Sequence, residues 1–153
     1  MPSLQSELAV SVGMAAASTV IHLVGLTVLL RVIRLHIRHL RSPWLALDRV
    51  AVPLVMATGL FFLHGLEISG YALLFHRLVG LDIEHALYVS SSAYTTAGLN
   101  YFDNRPQWRL VGAMEPLVGM VMLGWSTAFL FSTLRRILTS EENHPLEPGA
   151  IAN

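Results

Sequence analysis

The sequence predicts an all-α membrane protein: three transmembrane helices and one short re-entrant helix between the second and the third. Three observations carry this. Of the 153 residues 54% are hydrophobic and 13% charged, whereas a soluble domain carries about a quarter charged residues. Three apolar runs, at residues 8–30, about 50–78 and about 110–134, are each long enough to cross a bilayer. Between the last two lies the stretch 88–103, too polar and too short to span, yet too apolar for an ordinary surface loop.

Composition narrows the function classes. Formal net charge is zero, so no overall field points to nucleic acid or to an acidic substrate. All ten basic residues are arginine, and cysteine is absent, which excludes disulfides and thiolate chemistry. The N-terminus lacks a basic leader, and its apolar run exceeds the h-region of a signal peptide. It is expected to stay as a span.

The first run, residues 8–30, is 23 residues without a formal charge. As a helix it covers about 35 Å, against a hydrocarbon core of about 30 Å. Gly13, Ala15, Ala16, Ala17 and Ser18 favour close helix contact. His22 is its one ionisable group and reads as a neutral histidine hydrogen-bonded to a neighbouring helix. Arg31, Arg34, His36, Arg38, His39 and Arg41 follow, then Ser42, Pro43 and Trp44. The arginine spacing suits a voltage-sensor helix, but these residues lie past the apolar run and no acidic helices accompany them. They read as a cytoplasmic helix end under the positive-inside rule, with Trp44 at the interface.

In the second run Pro53 is placed in the first turn, where proline costs little. His64 and Glu67 lie three apart, on one helix face. A carboxylate inside a bilayer needs a partner; the candidates are His64 and a hydroxyl such as Ser91 or Tyr94. Asp82 and Glu84 suit the N-terminus of a short helix at about residues 83–95. That helix would turn its electronegative end toward the membrane centre, where Thr95 and Thr96 offer hydroxyls and carbonyls able to replace an ion's hydration shell. Trp108 is an interface anchor. In the third run Pro116 removes a backbone bond and predicts a bend, Gly119 and Gly124 add softness, and Glu115 is expected to face protein or water. Arg135 and Arg136 close it. Residues 140–153 read as a disordered cytoplasmic tail. The arginine distribution puts the loop at 31–49 and the end of the third helix inside, and the N-terminus and the re-entrant stretch outside.

Four segments together, Ala86-Leu87-Tyr88-Val89-Ser90, Tyr94-Thr95-Thr96-Ala97-Gly98, Trp108-Arg109-Leu110-Val111-Gly112 and Gly124-Trp125-Ser126-Thr127-Ala128-Phe129-Leu130-Phe131, resemble the pore module of small bacterial potassium-channel-family proteins. The resemblance covers about residues 50–137. It implies an outer helix, a pore helix, a filter and an inner helix in residues 46–139, after an N-terminal span and basic loop in 1–45. It further implies a homotetramer in the bacterial inner membrane, with potassium or another monovalent cation as the permeant species and no cofactor. The family filter reads Thr-x-Gly-Tyr-Gly-Asp. Here Thr96-Ala97-Gly98 matches, Leu99 replaces the tyrosine, Asn100 replaces the second glycine, and the acidic residue comes late, at Asp103. The implied filter is therefore Thr95, Thr96, Ala97, Gly98, Leu99 and Asn100, with its inner sites better preserved than its outer ones. The implied gating hinge is Pro116 and Gly119.

The sequence thus leads to a tetrameric cation channel of altered filter. The rival is a non-conducting scaffold or accessory subunit that keeps the fold and serves another membrane complex. A metal or redox protein built on His22, His36, His39, His64 or His85 lacks a convincing third or fourth ligand. No nucleophile with a spaced base and no phosphate-binding glycine loop is present, so no catalytic residue is expected.

Overall fold

The computed structural model describes residues 3–39, 45–97 and 108–142. They form four helices: α1 (Leu4–His39), α2 (Leu45–Val79), α3 (Ile83–Tyr94) and α4 (Arg109–Glu142). Within them Leu4–His36, Val50–Val79 and Arg109–Arg135 are long and apolar enough to cross a membrane. Apolar side chains on their outer faces are uncovered, Phe61 and Phe62 by 79% and 70%, which lipid tolerates and water does not.

The long helices overrun the apolar segments. α1 continues through Arg31 and Arg34 to His39, and α2 already starts at Leu45. Nothing between Arg31 and His39 breaks a helix; the first stop signal is Ser42-Pro43. Pro53 is consequently not in a first turn. It is the ninth residue of α2 and removes an interior bond to the carbonyl of Arg49. At the other end α4 takes in Ser140 to Glu142, the first residues assigned to the tail; the rest of the tail lies outside the described residues.

Contacts at successive levels fix the helix directions. At one end, Glu7 of α1 accepts a hydrogen bond from the Leu110 N–H at 3.0 Å, so α1 caps the start of α4. Deeper, Leu26 packs with Leu60 and Leu63, beside Phe129 and Leu130. At the far end Ile33 packs with Val52 and Met56, beside Leu134. α1 and α4 therefore run parallel and α2 antiparallel to both. Two glycines let α1 and α2 close up. A Cβ on Gly25 would lie 2.8 Å from Leu63 Cδ2, and one on Gly59 would lie 2.8 Å from Leu29 Cδ1.

α3 fills the wedge at the Glu7 end. Gly80 (φ +74°) turns the chain out of α2, and the His76 ring donates to the Leu81 carbonyl at 2.6 Å. Asp82 caps α3 by accepting from the His85 N–H at 3.0 Å. Ala86, Val89 and Tyr94 then face a core of Tyr71, Phe75, Val111, Val118 and Met122.

Candidate functional site

The C-terminus of α3 ends deep in the bundle. The Tyr94 carbonyl packs on Gly119, ten residues into α4 and so about 15 Å from its start. The Tyr94 side chain reaches Glu67, 12 residues before the end of α2 at Val79 and so about 18 Å in.

The end itself is a Schellman motif. The Thr96 N–H bonds the Ala93 carbonyl at 3.0 Å and the Ala97 N–H bonds the Ser92 carbonyl at 2.8 Å. The Thr95 N–H and hydroxyl both reach the Ser91 carbonyl, at 3.1 and 2.7 Å. Such a cap puts its next residue in the left-handed region, and here that residue is Thr96, φ 60°. A β-branched residue resists that conformation. The carbonyls of Ser91, Ser92 and Ala93 are thus used by the helix's own cap. Thr95, Thr96 and Ala97 are exposed. Gly98, Leu99 and Asn100 of the implied filter lie outside the described residues, as do Asp103 and Trp44.

Beneath this end the four helices bring five polar side chains together. His22 Nδ1 lies 2.8 Å from Glu67 Oε1. The Tyr94 hydroxyl donates to Glu67 Oε2 and lies 2.9 Å from His64 Nδ1. The far nitrogens of both histidines meet the Ser126 hydroxyl, His22 Nε2 at 3.3 Å and His64 Nε2 at 3.0 Å. His64 Nδ1 is also 3.4 Å from Glu67 Oε2. Glu67 is 1% exposed and His22 0%, and Trp125 covers the His22 ring at 5.5 Å. Higher up, Glu115, also 0% exposed, meets Ser90 Oγ at 2.5 Å. Ser90 in turn lies 2.9 Å from the Ile68 carbonyl.

The structure therefore brings the sequence-predicted pair His64 and Glu67 together with Tyr94, one of the two hydroxyl candidates; Ser91 instead serves the α3 cap. His22 contacts a neighbouring helix, and its partner there is Glu67. Ser126 was missed by sequence reasoning, because a serine 62 residues from His64 and 104 from His22 carries no spacing signal. Gly119 has a role other than softness: it is where α4 touches the α3 backbone. Pro116 is the eighth residue of α4.

One ligand atom from each of His22, His64 and Glu67 lies within 4.8 Å of the others. Two histidines and a carboxylate are a zinc-type donor set. A tetrahedral ion would hold neighbouring donors about 3.3 Å apart, however, and the 2.8 Å between His22 and Glu67 is a hydrogen-bond distance. His22 and Glu67 are thus bonded directly to each other, while His64 Nδ1 and Glu67 Oε2 stand 3.4 Å apart.

Compared with protein-family models, curated proteins and solved structures, the chain matches none.

Proposed function

We propose that the chain is one subunit of a homotetrameric cation channel, with α2 as outer helix, α3 as re-entrant pore helix, residues 95–100 as filter and α4 as inner helix. One observation carries the reading. A short capped helix ends about halfway along two spans, with its last carbonyl against Gly119, and Thr95, Thr96 and Ala97 are exposed beyond it. Non-helical backbone at that depth is tolerated only where protein buries it or it lines a water-filled cavity. Residues 98–107 are ten residues, enough to return about 15 Å to Trp108 at the start of α4, since an extended chain covers about 3.3 Å per residue.

A single such end cannot enclose an ion, and cyclic repetition of the chain is the ordinary way to close one. Four copies would set the Thr95–Thr96 hydroxyls and carbonyls around an axis, where they replace water about a monovalent cation. With Leu99 and Asn100 in place of tyrosine and glycine, the reading expects cation flux with weaker potassium preference than a complete filter gives. The arginine-rich ends of α1 and α4 would face the cytoplasm.

The test is flux from liposomes holding the purified chain, with potassium and sodium gradients run separately. Cation flux abolished by Thr96→Val, which removes the hydroxyl and keeps the shape, supports the pore. Absence of flux in both gradients, persisting in the double variant Leu99→Tyr/Asn100→Gly, favours the non-conducting scaffold.

A further inference from the structure

The five buried side chains close on themselves. Following the contacts from Glu67 Oε1 leads to His22 Nδ1, across that ring to Nε2, to Ser126 Oγ, to His64 Nε2, across to Nδ1, to the Tyr94 hydroxyl and back to Glu67 Oε2. Each of the four helices contributes at least one member: α1 gives His22, α2 gives His64 and Glu67, α3 gives Tyr94 and α4 gives Ser126.

We propose that this ring is a binding site for one exchangeable proton per chain, and that it is complete only when the proton is bound. Five hydrogen bonds need five hydrogens. With the carboxylate ionised and both imidazoles neutral, the ring supplies four: one on each imidazole, one on Ser126 and one on Tyr94. The shortage falls on Ser126. Its single hydrogen serves one of the two facing Nε2 atoms, and two neutral imidazoles that both donate from Nδ1 leave the other Nε2 unpaired. A fifth hydrogen, on Glu67 or on either imidazole, closes every link.

The same proton settles the charge. Without it the ring is a lone carboxylate, 1% exposed, inside a bundle that lipid surrounds, which is expensive. With it the ring is neutral overall, as a carboxylic acid with two neutral imidazoles or as a carboxylate with one imidazolium. Among the described residues, the other titratable groups near enough to act on Tyr94 are Tyr71 of α2 and Glu115 of α4. Neither supplies a positive charge to offset Glu67, so the proton must.

Replacing Glu67 by glutamine separates the proton from the ring. One amide N–H donates where the acid would and the amide oxygen accepts from Tyr94, so each of the five links has its hydrogen with no carboxyl left to titrate. Glu67→Ala opens the ring and strands its neighbours.

The experiment is thermal unfolding of the full chain in lipid nanodiscs from pH 5 to pH 9, with infrared and 15N-histidine NMR spectra of the same samples. The folded ring binds a proton that the unfolded chain releases earlier as pH rises, so wild-type stability falls toward high pH. Glu67→Gln is expected to stay within about 3 °C of the wild type at pH 6 and to lose that decline. Glu67→Ala is expected to drop by roughly 5–10 °C. At pH 6 the spectra should show either a protonated Glu67 carboxyl or one imidazolium among His22 and His64. An ionised Glu67 beside two neutral imidazoles at pH 6 overturns the proposal, as does one equivalent of divalent metal in the purified protein. So does a Glu67→Gln chain as unstable as Glu67→Ala. None of these readouts uses ion flux, so a chain that passes no ions removes the channel reading and leaves the ring standing.

Discussion

Gly119 of α4 carries the carbonyl of Tyr94 directly on its Cα face, and no other residue type fits there. A Cβ built at Gly119 lies 2.9 Å from the Tyr94 carbonyl carbon and 3.2 Å from its Cα, and closer still to the oxygen. The obstacle is backbone, which cannot rotate away as a side-chain tip can. Gly119→Ala must push α3 and α4 apart, at a cost on the order of 1–3 kcal/mol. Gly124→Ala on the same helix meets nothing within 4 Å and should stabilise by up to about 1 kcal/mol through helix propensity. Thermal unfolding of the two variants side by side checks this. Equal effects would mean that Gly119 is a flexible point rather than a contact.

Thr96 presents the opposite case, a residue whose replacement by glycine should help the fold. It holds the left-handed position of the α3 cap, φ 60°, which costs a β-branched residue roughly 1–2 kcal/mol. Thr96→Gly keeps both cap bonds and should raise the melting temperature by about 2–4 °C. The sequence retains threonine against this local preference, as strained residues at working sites do. The channel reading therefore expects Thr96→Gly to be more stable and to change flux or ion preference. A variant that is more stable and conducts identically would remove Thr96 from the filter.

Glu7 links two helix ends that sequence distance keeps 103 residues apart. Its carboxylate accepts from the Leu110 N–H at 3.0 Å, in a first helical turn whose N–H groups look outside the helix for acceptors and whose terminus is positive. Trp108, just before it, sits at φ 64°, so the start of α4 is held rather than relaxed. Glu7→Ala should cost about 0.5–2 kcal/mol, Glu7→Gln less. Hydrogen exchange gives the location: faster exchange at Leu110 and Val111, with the far end of α4 unchanged, is the expected pattern. Exchange that rises evenly along α4 would count against a local cap.

Much of this architecture is legible in the sequence because it is local. Apolar runs mark the three spans, Asp82 marks the start of α3, and the three-residue spacing of His64 and Glu67 places both on one face. The helix ends are not legible in the same way. An apolar run stops where water begins, whereas a helix stops only at a breaker, so α1 and α4 pass through their arginines and Pro53 falls inside α2. The ring is less legible still. His22 reads as a histidine bonded to some neighbouring helix, with nothing in the sequence to say which, Ser126 carries no signal of its own, and only the parallel packing of α1 and α4 brings them to one level.

Glu115 shows the same hydrogen counting in a second place. Ser90 lies 2.9 Å from the Ile68 carbonyl and 2.5 Å from Glu115 Oε1, but its hydroxyl has one hydrogen. If that hydrogen goes to the carbonyl, which only accepts, Glu115 must itself donate to Ser90. Its second oxygen is buried with no hydrogen-bond partner among the described residues, a poor position for an ionised carboxylate. Glu115 is thus expected to be a neutral acid. Glu115→Gln keeps a donor to Ser90 and should change stability by less than about 1 kcal/mol. Glu115→Ala removes the donor and leaves a cavity between α3 and α4, at a cost of about 2–4 kcal/mol. An infrared band of a protonated carboxyl at pH 7, lost in Glu115→Gln, is the direct measurement. Its absence would give the hydrogen of Ser90 to Glu115 and leave a charged carboxylate behind α3, and Glu115→Gln would then be the costly change.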